Sequence, residues 1–388
     1  MHGAGDAAPP RVLTIYFRHQ RGGLQKRFYT LIEALLARDV EVHVVSAAPL
    51  AVGPHPRLVA HRVPWIGGDP GGMVFWAWFT VAAPLVLLRV ALAVKPRALI
   101  VFDPYYAAIG RIAARAARMP TILWVRAIPW RARMRLPEGS LRWRIATALD
   151  VRALGSAEHV VAITRSMIDE LDARVPGVAA RAEVLPNALV EPRGGPPDRV
   201  AARHSLLAAR GWAPDSLVVA TAGVLSERKN IALLIDALAH SGEPRVVLSI
   251  VGDGPNRDAL MARARCAGLE SRVAFTGWLE NPLGEIAGAD LFVMPSVHEG
   301  MSNALLEAWG AGVPVLAART PESAEVLGDD RLLFDPGDAA ALGATLARLA
   351  RDPAALDGLA RAAAERSRAF AFDWGDRAVA LVRRLARF

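Results

Sequence analysis

The chain has a single cysteine, Cys266, in 388 residues. That excludes a disulfide framework and any multi-cysteine metal site, and it points to a reducing compartment. Cys266 itself reads as a small buried hydrophobe. Lysine is nearly as scarce: Lys26, Lys95 and Lys229 stand against 43 arginines. Asp-x-Asp, a common carboxylate pair for divalent metal, does not occur. There is no zinc-finger spacing, no aromatic RNP-like strand and no basic helix repeat, so a nucleic-acid reader is excluded. Charged residues are only 22% against 53% hydrophobic ones, which rules out disordered and fibrous architectures. No repeat with a period of roughly 20–50 residues is visible. Met1 to Pro10 shows no basic segment followed by an apolar one, so no secretory signal is expected.

The charge that is present is unevenly placed. The formal net charge is +8, yet residues 1–195 hold 25 Lys/Arg against 14 Asp/Glu, while residues 196–388 hold 21 against 24. A basic first half beside a mildly acidic second half suggests an anionic surface facing the first.

At about 100–200 residues per domain the length favours two domains or one large composite domain. Short apolar runs alternate with helical patterns, the mark of βαβ units and parallel sheets. Strands are expected at Val12–Phe17, Val40–Ser46, Leu99–Phe102, Thr121–Val125 and His159–Ile163. The first is followed by Gly22-Gly23 and a helix from Leu24 to Arg38, with Phe28, Leu31, Ile32, Leu35 and Leu36 on one face. Pro192 to Pro197 reads as a linker, dividing residues 1–192 from residues 193–371. Beyond it, strands are expected at Leu217–Thr221, Arg245–Val251, Val273–Phe275, Leu291–Met294 and Val313–Leu316. Helices are expected at Ile231–His240, Asn256–Ala267, Asn303–Ala311 and Ala339–Arg351. Two such doubly wound domains in tandem place a ligand cleft between them.

One segment departs from the pattern. Met73 to Val94 contains a single charge, Arg89, and is long enough at about 1.5 Å per residue to cross a bilayer. It lies between strands of one sheet, however, and Pro84 interrupts it. A helix lying in the membrane interface fits better, with Trp65, Trp76 and Trp78 at headgroup depth and Arg89, Lys95 and Arg97 beside anionic lipid. A buried core helix is the alternative.

The chemistry concentrates in three stretches. Pro295-Ser296-Val297-His298-Glu299-Gly300-Met301-Ser302-Asn303-Ala304-Leu305-Leu306-Glu307 runs from a strand end through a loop into a helix. The helix amides, with Ser302 as cap, make an anion site. Glu299 and Glu307, eight residues apart, would flank it and accept hydrogen bonds from hydroxyl groups; two merely solvated carboxylates are the alternative. Gly223 to Asn230 brings Arg228 and Lys229 to the end of another strand, and Gly252-Asp253-Gly254-Pro255 is a glycine turn that lets a backbone approach a ligand. Together they describe a site for a nucleoside diphosphate.

With these motifs, and with Pro186-Asn187 and Phe275-Thr276-Gly277-Trp278, nearly the whole chain resembles a GT-B glycosyltransferase of family 4, the retaining group that uses nucleotide-sugar donors. The resemblance implies an α/β GT-B fold of two Rossmann-like doubly wound parallel-sheet domains facing a cleft, with the C-terminal helix (372–388) crossing back onto the first. It implies that Arg228 and Lys229 bind the diphosphate and neutralise its growing charge, in place of a metal. Glu299 would hold the donor sugar and Glu307 the ribose. Gly223, Gly252, Gly254, Gly300, Met301 and the amides of Ser302, Asn303 and Ala304 would surround the donor, with Trp278 and Leu279 at the base. Gly22 and Gly23 would let the first domain approach donor phosphate and acceptor. Many members carry a histidine where this chain has Arg126; with Asp103 it is expected at the cleft, where it either binds an anionic group or marks altered activity. His298 reads as a loop residue near the donor.

The implied function is transfer from a UDP- or GDP-linked sugar to a glycan or lipid-linked acceptor, with no cofactor and no metal. The expected location is cytoplasmic, peripheral on the inner face of the plasma membrane. A nucleotide-sugar epimerase or phosphorylase, or a non-catalytic donor-binding protein, are the rivals.

Overall fold

The computed structural model describes residues 9–17, 23–67, 72–131, 139–189, 195 and 197–388. Its chain divides into two compact units, residues 1–185 with 373–388, and residues 186–372. The division falls at Leu185/Pro186, ahead of the 192/193 boundary set by the Pro/Gly-rich stretch, most of which lies outside the described residues.

The first unit contains β1 (Arg11–Ile15), α1 (Gly23–Leu36), β2 (Glu41–Ser46), β3 (Leu58–Arg62), α2 (Met73–Val94), β4 (Ala98–Val101), α3 (Pro104–Ala116), β5 (Thr121–Val125), α4 (Leu141–Ser156), β6 (His159–Ala162), α5 (Arg165–Arg174) and β7 (Ala182–Val184). Its seven strands are all parallel, in the order β3-β2-β1-β4-β5-β6-β7. Central strands such as β4 and β5 are buried along their whole length, as a sheet covered on both faces requires. The order runs one way from β1 to β3 and the other from β4 to β7. Right-handed crossovers therefore put α2, α3 and α4 on one face and α1 on the other.

The second unit contains α6 (Arg199–Arg210), β8 (Leu217–Ala222), α7 (Ile231–His240), β9 (Val246–Val251), α8 (Arg257–Cys266), β10 (Val273–Gly277), α9 (Leu283–Ala287), β11 (Leu291–Met294), α10 (Asn303–Gly310), β12 (Val315–Ala318), α11 (Pro321–Leu327), β13 (Leu333–Phe334), α12 (Ala339–Arg351) and α13 (Pro353–Ser367). Its parallel sheet has the order β10-β9-β8-β11-β12-β13. The last helix, α14 (Trp374–Ala386), packs on α1 of the first unit. Trp374, Ala378, Val382 and Leu385 are its buried stripe, and Arg384 pairs with Glu183.

Three features differ from the sequence reading. Pro84 does not interrupt α2, which runs unbroken through it over 22 residues. An interior proline removes one helix hydrogen bond at a cost of about 3 kcal/mol; burial of Phe75, Phe79, Leu87 and neighbours offsets this. Trp65, Trp76 and Trp78 are half-buried rather than fully outward. They belong to an aromatic cluster, with Trp65 and Phe75 ring centres 5.1 Å apart, Trp65 and Trp78 5.3 Å, and Phe17 and Trp76 5.0 Å. Cys266 is exposed rather than buried, because it ends α8, whose buried positions are Leu260 and Ala264.

Candidate active site

The strand order of the second sheet changes direction between β8 and β11. Loops leaving the carboxyl ends of two such strands diverge to opposite faces and open a crevice, the usual ligand position in an open parallel sheet. The loop after β8 carries Arg228 and Lys229, and the loop after β11 carries Glu299.

Residues Glu227–Lys229 form a single 3-10 turn, closed by Asn230 in the left-handed region (φ 49°) before α7 begins. This turn points both cations at the neighbouring loop. Lys229 Nζ lies 2.5 Å and Arg228 Nη1 2.6 Å from the same oxygen, Glu299 Oε1. Arg228 Nη1 also donates to the His298 carbonyl at 3.0 Å, and the Val297 amide donates to the Arg228 carbonyl at 3.1 Å. The two loops are thus stitched by backbone as well as charge. Burial alone would push the Glu299 carboxyl up; Lys229 and Arg228 outweigh it and hold Glu299 below the usual carboxylate range. Two positive charges thus converge on one carboxylate oxygen.

The glycines serve close packing of this loop. Gly223 has φ +147°, and a Cβ there would come within 3.0 Å of the Lys229 side chain. Gly252 has φ +132°, and a Cβ would overlap the Gly223 carbonyl oxygen at 1.9 Å; at Gly254 it would meet the Leu225 backbone at 2.5 Å. The sequence reading assigned Gly252 and Gly254 to a ligand's approach. The structure adds a packing reason for them: without side chains at Gly252 and Gly254, the Gly223–Leu225 backbone of the Arg228–Lys229 loop seats against the end of β9.

Beside the ion pairs, α10 begins at Asn303 with Ser302 in the extended N-cap position. The Ser302 side chain makes no capping bond, contrary to expectation, so it leaves the first helix amides unmet. Nearby Ser296 is 1% exposed, yet its Oγ has no hydrogen-bond partner among the described residues, and neither do His298 Nδ1 and Asn303 Oδ1. A buried polar atom without a partner carries a desolvation cost, here as at Thr14 Oγ1 and Trp124 Nε1 elsewhere in the chain. Gly300, Met301 and Ala304 lie in the same loop and first helical turn, with Met301 buried. Glu307 is half-buried on the next turn of α10. Trp278 and Leu279 follow β10, with Trp278 49% exposed, a bare aromatic face at the sheet's far strand end. One contributor has no assigned role in the sequence reading: Asn187, 1% exposed, donates from Nδ2 to the Met301 carbonyl at 3.4 Å and fixes the loop ahead of α10. The Pro186-Asn187 motif is the signal that marks it.

The remaining predicted residues belong to the first unit. Gly23 is the first residue of α1, and Gly22 lies outside the described residues. Asp103 follows β4 and caps α3, accepting from the Tyr105 amide at 2.8 Å. Arg126 follows β5 and is half-buried.

Comparison with known proteins bears on the whole chain. Residues 21–190 match the family described as Glycosyltransferase Family 4, and residues 216–352 match Glycosyl transferases group 1. A lipopolysaccharide core biosynthesis glycosyltransferase, LpsD of Rhizobium meliloti, is 38% identical over 153 residues, covering 39% of this chain and 44% of the relative. A 2-deoxystreptamine glucosyltransferase of Streptomyces kanamyceticus is 30% identical over 219 residues, covering 54% and 56%. The chain thus spans about half the length of the curated relatives it matches. Among solved structures, HepE of Anabaena in complex with UDP superposes with a TM-score of 0.74 at 19% identity, over 97% of this chain and 100% of the other. WaaG, a glycosyltransferase involved in lipopolysaccharide biosynthesis, gives 0.72 at 19%, over 97% and 99%. At such identity these two likenesses speak to the fold, which is GT-B.

Proposed function

This chain belongs to the family 4 type of GT-B glycosyltransferases, and from that premise we propose that it moves a sugar from a nucleoside-diphosphate donor onto a glycan or lipid-linked acceptor in lipopolysaccharide or related cell-surface polysaccharide synthesis. The observation that carries this reading is the convergence of Lys229 and Arg228 on one oxygen of Glu299 at the sheet's switch point.

Each residue then has a task. The diphosphate sits against Lys229, Arg228 and the open amides of α10, from Ser302 to Ala304. As it binds, it takes over the two cations and releases Glu299 to accept hydroxyls of the donor sugar. Glu307 receives the ribose hydroxyls, and Trp278 and Leu279 face the base. Ser296, His298 and Asn303 find in the donor the partners they lack. Arg126 and Asp103 of the first unit would serve the acceptor, Arg126 suiting an anionic group.

In the reaction the bond between the anomeric carbon and the β-phosphate oxygen breaks, and the acceptor oxygen bonds to the same face of that carbon. Same-face attack retains configuration, and the acceptor's proton passes to the departing phosphate. Charge grows on the phosphate as the bond lengthens. Lys229 and Arg228 are already aimed at it, and preorganised groups of this kind stabilise a transition state without reorganising. They would do so without a divalent ion. The enzyme would work on the cytoplasmic side of the membrane, associated with its inner face.

The test is a thermal-shift screen of UDP- and GDP-linked sugars in chelator, followed by transfer assays with the donor that stabilises the protein. A donor should raise the melting temperature of the wild-type chain and not of Lys229→Ala, and turnover should survive chelation. Equal stabilisation of both proteins, or turnover abolished by chelator, would overturn the assignment.

A further inference from the structure

The first unit carries a surface that transfer chemistry does not use. α2 buries Phe75, Phe79, Ala83 and Leu87, and at the opposite side of the helix it exposes Val74, Val81, Leu85 and Leu92, each more than half accessible. Its composition is apolar on both sides, whereas a surface helix normally turns polar residues outward. On the same face of the sheet, α4 repeats the arrangement. Thr147, Asp150 and Leu154 point inward, and Leu141 (73% exposed), Ile145 (54%) and Leu149 (57%) form an outward stripe at i, i+4, i+8. Between them, packed against both, α3 exposes Ile112 at 63%. Three consecutive crossover helices therefore present aliphatic side chains in one direction. Scattered surface leucines are ordinary, but a contiguous set is an interaction site.

Charge identifies the partner. From Met73 to Ser156 the sequence has thirteen Lys or Arg and three Asp or Glu. The helices themselves contain one acid, Asp150, which is 3% exposed and faces inward. Arg89, Arg115, Arg142, Arg144 and Arg152 are all exposed among the aliphatic positions, and none makes an ion pair among the described residues. A protein partner would have to supply an acidic rim around an apolar centre. A bilayer of anionic lipid supplies both over an unlimited area.

We infer that the joint outer face of α2, α3 and α4 docks on an anionic bilayer, with its aliphatic stripes in the headgroup and upper acyl layer and its arginines on lipid phosphates. α2 does not cross. It is long and apolar enough to do so, but it connects the parallel strands β3 and β4 of one sheet and packs along α3. The inference refines the membrane-associated reading above by naming the surface that makes contact.

The experiment is flotation of the full chain with vesicles of one-third phosphatidylglycerol in phosphatidylcholine, against vesicles of phosphatidylcholine alone. The wild-type chain should float with the anionic vesicles at low ionic strength and release as salt is raised. Ile145→Asp with Leu149→Asp should lower vesicle affinity more than tenfold, and Arg142→Ser with Arg144→Ser by roughly tenfold or more. The melting shift given by UDP, measured on the same preparations, should be unchanged in both variants, which separates a failure of docking from a failure of the donor site. The inference falls if the wild-type chain stays with the unbound fraction, or if both variants float as it does. It falls equally if the wild-type chain sediments as a dimer that Ile145→Asp with Leu149→Asp makes monomeric, since the face would then pair with a second copy.

Discussion

Two regions of the molecule handle charge in opposite ways. At the β8/β11 switch point of the second sheet, cations are pinned to a carboxylate, and glycines without room for a methyl group hold the loops together. On the outer helices of the first unit, Arg89, Arg115, Arg142, Arg144 and Arg152 stand exposed among exposed aliphatics, with no ion pair among the described residues. The first arrangement defines positions to fractions of an ångström and suits a small ligand whose charge changes during reaction. The second is tolerant of position and suits a surface with no fixed geometry. On the two proposals made above, the contrast is between a site built for precise chemistry and a surface built for loose attachment.

The comparison can be broken at the switch point first, where the expected effects are largest. Lys229→Ala should lower transfer by about 10²–10³-fold, the usual result of removing one preorganised group from a developing anion. Initial rates with the stabilising donor check this, and a loss below tenfold would remove Lys229 from the chemistry. Next is loop packing. Gly252→Ala should destabilise the protein by about 3–5 kcal/mol, since backbone strain at φ +132° adds to overlap with the Gly223 carbonyl. Gly177→Ala, in the first unit, is the matched control: φ is +89° but nothing lies within 4 Å of the added carbon, so about 1–2 kcal/mol is expected. Denaturant midpoints of the two variants measure the difference.

Acid sharpens the picture within the second unit. Hydrogen bonds from Arg245 and Arg351 outweigh desolvation and hold the Glu243 carboxyl at about 2. A carboxyl whose pKa is lower in the folded state contributes stability that is complete above its ordinary value near 4.5 and is lost as pH falls towards 2. Wild type should therefore melt above Glu243→Gln at neutral pH, with the gap closing between those two values. A gap that widens in acid would contradict the assignment. The smallest effect is at Asp103. Its loss as a helix cap should cost about 1 kcal/mol in Asp103→Ala, whereas a role on the acceptor side adds a fall in transfer that Asp103→Asn, which still caps, would share.

Much of this was legible in the sequence. β5, β11, α7 and α12 lie at the residues their hydrophobic patterns predict, because buried parallel strands and amphipathic helices carry strong signals. β3, β7 and β13 were not legible. All three are sheet edges, two of them only three and two residues long, and none has a fully buried residue to mark it. The switch-point residues could be picked out because each lies within a few positions of a strand end. Their adjacency in space could not, since it depends on β11 pairing beside β8 across seventy residues of sequence. The orphaned Ser296 hydroxyl and the outward stripe of α4 depend likewise on packing, and no local spacing announces them.

The most direct test of the central claim is a crystal structure of the chain with UDP in chelator. The account predicts the diphosphate within hydrogen-bond distance of Lys229 Nζ and Arg228 Nη1, above the first amides of α10, with Glu299 withdrawn from at least one cation. A diphosphate lodged elsewhere, with the Lys229–Glu299–Arg228 contacts intact, would contradict it.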